Sequence, residues 1–214
     1  MPFLASFSHS PSEDRCSSAS QAVHSCAEAN VSTGPPAVAI RDILPDVNSC
    51  QECDFRYDSL ATGEIAPSLR WHAVEYATRL RAAGADELRA HPRLGSWSAL
   101  EYACHIHDVL VVQRERIALA LREDQPTFVS MRRAERVSEQ RYNEQEPGAV
   151  TAAIGDAAEA LAGALERLAP DQWLRTGVYP WPTTEVRTLE WVGRHSVHEA
   201  RHHLLDVDRL LASL

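Results

Sequence analysis

The sequence contains no lysine, so all 21 of its basic residues are arginine. They are outnumbered by 30 acidic residues, and the formal net charge is −9. Proteins that bind nucleic acids normally present a basic surface, so we expect no nucleic-acid partner. The absence of lysine beside abundant alanine indicates a gene of high GC content, as in many actinobacteria.

Long apolar runs are also absent. No stretch of about 18 consecutive apolar residues occurs, and we therefore expect no membrane span. The N-terminal residues lack the basic start and apolar stretch of a signal peptide. The five cysteines are an odd number, and without a secretion signal they are expected to be free thiols in a reducing compartment. These features predict a cytoplasmic protein.

The composition divides the chain into three parts. Residues 1–36 are rich in Ser, Ala and Pro and lack apolar periodicity, which predicts a disordered tail. Residues 37–66 are predicted to be an irregular arm that carries a C-x-x-C pair, Cys50 and Cys53. Residues 67–214 have helical periodicity and are predicted to form the folded domain.

Four substantial helices are predicted in this domain from apolar periodicity and capping signals. The first begins at Pro67, and the second is capped by Ser98 with Glu101 three residues later. The third has apolar residues at alternating spacings of four and three, and the last begins near Thr188. Long connections follow the second and third helices, and no strand run is evident. We therefore predict an all-α antiparallel four-helix bundle.

The last helix is rich in histidine. His195, His198 and His202 fall on one helical stripe that begins at Trp191 and ends on a leucine, so the stripe is expected to face inward. Buried imidazoles need hydrogen-bond partners or a shared cation. The stripe therefore predicts a metal site.

The segment His198 to His202 also reads H-E-x-x-H, the zinc-protease motif. Its extended form requires Gly at the position of Leu205 and a ligand at the position of Asp208. The chain lacks this glycine and a strand to hold a substrate. A protease is therefore excluded, and Glu199 is expected to have no ligand role.

A third ligand is expected from the predicted second helix, which carries His105 and His107. The two side chains differ by about 200° in direction, so only one can face a given point. Helical periodicity does not choose between them, because this helix is apolar on several sides.

The order of these motifs resembles that of the DinB-like superfamily, over about residues 67–212. The pattern W-S-x-x-E-x-x-x-H-x-x-D is followed much later by H-x-x-x-H. The residues of the first pattern are Trp97, Ser98, Glu101, His105 and Asp108. The superfamily includes bacillithiol- and mycothiol-dependent S-transferases and mycothiol-dependent maleylpyruvate isomerases.

The resemblance implies a four-helix bundle with a metal site formed by His105, His198 and His202. Asp108 is then placed to orient a ligand or a bound water. His195 is a candidate base near the mouth of the site, with packing against the neighbouring tryptophan as the alternative. Zinc is the favoured metal, although nickel or iron also accepts imidazole ligands.

The implied activity is that of a metal-dependent thiol S-transferase. Zinc would lower the pKa of a low-molecular-weight thiol such as mycothiol and hold it as a thiolate, which would then attack a small-molecule electrophile. The alternatives are a hydrolase that uses metal-bound hydroxide and a non-catalytic metal- or ligand-binding module. Members of this family often form homodimers, a state that this sequence does not determine.

The C-x-x-C pair has two interpretations. Cys50 and Cys53 are either half of a structural zinc site or a redox pair. A zinc site needs two more ligands, and Cys104 and His107 are distant candidates.

Overall fold

The computed structural model describes residues 48–92, 95–181 and 183–214. The predicted tail 1–36 and residues 37–47 of the predicted arm lie outside the described residues. Within the described residues the chain forms six helices and four short strands. In chain order they are β1 (Ser49–Cys50), β2 (Phe55–Arg56), α1 (Thr62–Ala82), α2 (Ala85–Arg89), α3 (Ala99–Arg122), α4 (Arg133–Glu139), α5 (Pro147–Glu166), β3 (Thr176–Tyr179), β4 (Glu185–Thr188) and α6 (Leu189–Leu211).

The four long helices, α1, α3, α5 and α6, form the bundle. Helices α1 and α3 each pack against both α5 and α6 and occupy opposite corners. The core between them is lined by large apolar side chains that are almost fully buried, among them Ile65, Leu100, Ile154 and Leu161. The predicted four-helix bundle and its long connections after the second and third bundle helices are confirmed.

The helix starts follow local capping chemistry. Ser98 caps α3, and its hydroxyl accepts a hydrogen bond from the Glu101 amide at 3.1 Å, as predicted. Thr188 caps α6 in the same way. The first bundle helix begins earlier than predicted, at Thr62, and Pro67 lies inside it. Pro67 is the sixth residue of α1, so it removes one backbone hydrogen bond of the second turn, and the helix extends through it.

Helix α5 is long and apolar enough to span a membrane by length and composition alone. In the bundle it packs against α1 and α3, and its apolar side chains are buried among theirs. Core helices of globular proteins share this composition, so α5 is a core helix of the bundle.

A short β-hairpin lies in the connection before α6, where the sequence predicted only a loop. Strands β3 and β4 pair antiparallel, with Val178 opposite Val186. The backbone of Val178 also exchanges hydrogen bonds with the segment after α3, accepting one from the Phe128 amide at 2.9 Å. The hairpin therefore ties the two long connections together at one end of the bundle.

Close packing against this hairpin makes Gly177 sensitive to substitution. A Cβ atom at Gly177 would overlap the ring of Phe128 and lie 2.8 Å from its Cε1 atom. Phe128 is buried, so its ring has little room to move. We expect Gly177→Ala to lower the free energy of unfolding by about 1–3 kcal/mol, measured by urea denaturation. Gly155 of α5 has open space around its Cα, and Gly155→Ala should leave the protein at least as stable.

The described part of the arm is a second hairpin that packs on α6. Strands β1 and β2 enclose the C-x-x-C pair, and Asp54 in the turn adopts a positive φ of 54°. Phe55 is buried, and its ring centroid lies 5.5 Å from that of His198. Tyr57 stacks on Trp191 with ring centroids 5.7 Å apart. These contacts place both cysteines beside the last helix.

Candidate metal centre

Helix α6 presents six side chains that belong to groups able to bind a metal ion. Residues four apart on a helix lie in line, so these side chains form two neighbouring rows. They are His195, His198, Glu199, His202, His203 and Asp206. Residues 195, 199 and 203 form one row, and residues 198, 202 and 206 form the other. Each row meets a different part of the chain.

The first group of ligands is called here the His/Glu cluster. It consists of His105, Glu199 and His203, whose candidate ligand atoms all lie within 4.8 Å of one another. Nε2 of His203 is 3.7 Å from Oε2 of Glu199. Nδ1 of His105 is buried and has no hydrogen-bond partner among the described residues. Two imidazoles and a carboxylate form a known catalytic zinc donor set, so these residues fit a metal ion.

The protonation states of two members suit metal binding. Burial lowers the pKa of His105 to about 4, so its ring is neutral near pH 7. Burial alone would raise the pKa of Glu199, but His195, His198 and His203 together lower it well below its usual range. A neutral imidazole and an ionised carboxylate are the forms that ligate metals.

Asp206 orients the third member of the cluster. Nδ1 of His203 lies 2.9 Å from Oδ2 of Asp206, which leaves Nε2 on the side of Glu199. A carboxylate bonded to the second nitrogen of a histidine is the usual support of a metal-binding imidazole. Although burial opposes it, hydrogen bonds to Asp206 and Glu199 raise the pKa of His203. A metal ion would therefore displace a proton from this ring.

The His/Glu cluster lies at a cavity of about 350 Å³. All three members line it, together with residues 130–135 of the connection after α3. Tyr179 and Trp181, from the connection before α6, also line the cavity. Trp173 of the same connection packs beside Gly193 of α6. The metal-binding residues are thus accessible from a pocket of the size that holds small molecules.

A buried cation also lines this cavity. Arg116 is 5% exposed, and its guanidinium lies 4.5 Å from the ring centroid of Tyr179. One of its nitrogens donates to the carbonyl of Val129 at 2.8 Å, and its Nε atom has no partner. Among the described residues, no carboxylate pairs with Arg116. Its charge is therefore available to an anionic group in the cavity.

His195 lines the cavity one turn before Glu199. Its Nε2 atom is 3.6 Å from Oε1 of Glu199, and its Nδ1 atom is 2.7 Å from the hydroxyl of Tyr57. The ring stacks on Trp191 with centroids 4.5 Å apart. Burial lowers the pKa of His195 to about 4, so the ring is neutral near pH 7. His195 therefore packs on the tryptophan and also lines the cavity, and its role as a base stays a prediction.

The second group of ligands is called here the Cys/His cluster. It consists of Cys50, Cys53, His198 and His202, whose candidate ligand atoms also lie within 4.8 Å of one another. Sγ of Cys50 is 3.5 Å from Nδ1 of His202. Nε2 of His198 is buried and has no hydrogen-bond partner among the described residues. Neither cysteine lines the cavity of the His/Glu cluster.

The thiols and imidazoles of the Cys/His cluster alter each other's protonation. Burial alone would raise the pKa of Cys53, but contacts with His198 and His202 lower it to about 6. The contact with Cys53 in turn raises the pKa of His202 to about 9. The thiolate and imidazolium forms therefore stabilise each other within this cluster.

Asp108 lies in another hydrogen-bond network. Its carboxylate accepts hydrogen bonds from the Tyr142 hydroxyl at 2.6 Å and the Arg136 guanidinium at 2.7 Å. Nδ1 of His107 is 3.1 Å away. Asp108 is buried but does not line the cavity of the His/Glu cluster. It links α3 to α4 and to the segment before α5.

The structure divides the ligands predicted from the sequence between the two clusters. His105 meets Glu199 and His203, whereas His198 and His202 meet the cysteines. His203, which the sequence analysis did not select as a ligand, has a side chain that is only 12% exposed and packs beside His105. Glu199 and His203 have the same i, i+4 spacing as His198 and His202. This spacing is the sequence signal that could have identified Glu199 and His203 as candidate ligands.

Comparisons with known proteins agree with this fold. The family model of the DinB superfamily matches residues 68–207. YfiT from Bacillus subtilis, for which a metal-dependent hydrolase activity has been suggested, has an unusual four-helix bundle topology and is 19% identical. Its structure covers 78% of this chain and 90% of its own, with a TM-score of 0.63.

The structure of a mycothiol-dependent maleylpyruvate isomerase is also similar. It is 16% identical with a TM-score of 0.59, and the match covers 71% of this chain and 62% of the isomerase. This chain therefore spans less than two thirds of the isomerase. No curated protein matches the sequence significantly.

Proposed function

We propose that this chain, which belongs to the DinB superfamily, is a metal-dependent S-transferase that joins a low-molecular-weight thiol, such as mycothiol, to a small electrophile. The convergence of His105, Glu199 and His203 on one cavity carries the proposal. The similarity in fold to a mycothiol-dependent enzyme supports the choice of thiol.

The proposed ligands are those of the His/Glu cluster, with zinc as the metal. His105 and His203 supply neutral imidazoles, and Glu199 supplies one negative charge. A zinc ion held there would lower the pKa of the thiol, so that the sulfur reacts as a thiolate at neutral pH. The sequence-based set of His105, His198 and His202 remains the competing assignment.

The surrounding residues have separate roles. Asp206 fixes the ring of His203 through Nδ1. His195 faces Oε1 of Glu199 through Nε2 and holds this carboxylate toward the cluster. Arg116 supplies a positive charge on the cavity wall, and we therefore expect electrophiles with a carboxylate to be preferred.

The purified metal-loaded protein tests this proposal directly. We expect conjugation of an electrophile only when mycothiol is added, and faster conjugation of carboxylate-bearing electrophiles than of neutral ones. Product formation is followed by mass spectrometry across a panel of matched anionic and neutral electrophiles. Absence of thiol-dependent turnover across this panel would contradict the transferase proposal.

Variants of His195 test its positioning role. Loss of a partner that orients a metal ligand typically costs about 10- to 100-fold in metal affinity or activity, and we expect this for His195→Leu. His195→Gln retains an amide N–H donor and should recover part of the loss, which simple packing on Trp191 would not predict. The control is His91→Gln, because His91 pairs with Glu101 and does not line the cavity. Equal losses in the two His195 variants would reject the role.

Metal-dependent hydrolysis is the second candidate. Two imidazoles and one carboxylate also occur in zinc hydrolases, and the fold resembles that of YfiT. Turnover of an ester or amide without any thiol, lost on removal of the metal, would favour this function.

A further inference from the structure

The arm contributes two thiols to a site that the proposed transferase reaction does not use. Cys50 ends β1, and Cys53 lies in the turn before β2. Their C-x-x-C spacing allows two thiolates to bind one metal ion. His198 and His202 lie one turn apart on α6, a spacing that also allows two imidazoles to bind one ion. The two pairs are far apart in sequence and meet only in the folded chain.

We propose that Cys50, Cys53, His198 and His202 bind a structural zinc ion, separate from the metal of the His/Glu cluster. The four candidate ligand atoms already lie within 4.8 Å of one another. Two thiolates and two imidazoles complete the tetrahedral coordination of closed structural zinc sites. This inference goes beyond the proposed function and does not depend on it.

The buried nitrogen of His198 is an independent sign of a missing ligand. Its Nε2 atom has no hydrogen-bond partner among the described residues, although leaving such a buried group unsatisfied is unfavourable. Its other nitrogen, Nδ1, lies 3.1 Å from the Tyr57 hydroxyl. Nε2 is therefore the atom available to a metal ion.

The proposed ligand set leaves no coordination position for a substrate. His198 and His202 line the cavity beside the His/Glu cluster, whereas neither cysteine does, and Cys53 is 5% exposed. Catalytic zinc sites keep one coordination position open, whereas structural sites use four protein ligands. The geometry therefore assigns a structural role to this ion.

The zinc ion would fasten the arm to the bundle. Each strand of the arm hairpin is only two residues long, and an isolated hairpin of this length is not stable in water. Phe55 and Tyr57 are the aromatic residues of the arm that pack on α6. Two zinc–sulfur bonds and two zinc–nitrogen bonds would hold the hairpin against the helix.

The same ion would set the protonation of the neighbouring cavity residue. If Nε2 of His198 binds zinc, Nδ1 keeps its proton and donates a hydrogen bond to the Tyr57 hydroxyl. The Tyr57 hydroxyl, 2.7 Å from Nδ1 of His195, then donates to that atom. The remaining proton of His195 lies on Nε2, which faces Glu199. A structural ion in the arm would thus orient a ligand of the His/Glu cluster.

Metal analysis of the full chain tests the proposal. We expect about two zinc ions per chain in the wild type and about one in Cys50→Ser. Cobalt substitution provides the second measurement, since thiolate ligands give a sulfur-to-cobalt charge-transfer band. This band should be present in the wild type, absent in Cys50→Ser, and retained in the control Cys104→Ser, because Cys104 lies outside the cluster.

The experiment separates this proposal from the proposed function. His105→Ala should lose the other ion and keep the charge-transfer band. The wild type should also melt about 10 °C lower after chelation, a result that needs no variant. A wild type without the band, a Cys50→Ser variant that keeps it, or a Cys50–Cys53 disulfide in protein purified under reducing conditions would overturn the structural zinc site, whatever the activity.

Discussion

His105→Ala is expected to remove the metal of the His/Glu cluster and to abolish turnover. The ring is 3% exposed, and its buried Nδ1 atom has no hydrogen-bond partner among the described residues. Removal of a residue that is hydrogen-bonded to a metal ligand typically lowers metal affinity or activity by roughly 10- to 100-fold. Removal of a direct ligand should lower them further. We expect metal affinity and kcat/KM each to fall by more than about 100-fold, measured by competition with a chelating dye and by steady-state kinetics.

His107→Ala is the matched control. His107 is two residues away on the same helix, and its Nδ1 atom faces Asp108. This variant should retain both metal ions. Retention of metal in His105→Ala with loss in His107→Ala would overturn the assignment of His105.

Glu199→Gln distinguishes the two competing ligand sets. If Glu199 binds the metal, the neutral amide should weaken metal binding and turnover and leave the sulfur-to-cobalt band intact. If His105, His198 and His202 form the site instead, Glu199→Gln should retain its metal, and His198→Ala should remove the ion that supports turnover.

Asp108→Ala is expected to cause the largest loss of stability. Asp108 is 6% exposed and accepts hydrogen bonds from Tyr142 and Arg136. Its removal leaves a buried hydroxyl and a guanidinium without their acceptor. We expect the free energy of unfolding to fall by about 3–5 kcal/mol, measured by urea denaturation. The exposed Asp156 of α5 provides the control, since Asp156→Ala should change stability by less than about 0.5 kcal/mol.

The same carboxylate predicts a pH dependence. Although burial would raise the pKa of Asp108, hydrogen bonds from His107, Tyr142 and Arg136 lower it to about 2. A pKa below the usual value of 3.8 means that the folded state favours the ionised form. This contribution to stability is fully present above about pH 4 and is lost as the pH falls toward 2. The wild type and Asp108→Asn should therefore converge in stability at low pH.

Metal analysis of the Asp108 variants tests the role that the sequence suggested. The hydrogen bonds of Asp108 link α3 to α4 and to Tyr142, and we expect both variants to keep their metal. An Asp108→Asn variant with the stability of the wild type and reduced metal content would instead make Asp108 a residue that orients a ligand.

Local features of the fold were predictable from the sequence. Ser98 with Glu101 and Thr188 define helix starts through hydrogen bonds that span only three residues. Apolar spacing identified α5, and the W-S-x-x-E-x-x-x-H pattern identified the superfamily. The early start of α1 was not predicted, because proline is typical of the first turn of a helix whereas Pro67 is the sixth residue of α1. The hairpin before α6 was not predicted, because its strands have only four residues each.

The sequence alone determined the bundle, and it predicted a metal site on the last helix with His105 as the upstream histidine implied by the family pattern. Only the tertiary structure decided which side chains meet. Two interleaved pairs, His198 with His202 and Glu199 with His203, have identical helical spacing, so local geometry cannot rank them. The arm brings Cys50 and Cys53 to the first pair, and α3 brings His105 to the second. Which segment meets each pair depends on packing between parts of the chain about 90 or more residues apart. A local sequence pattern contains no information about such contacts.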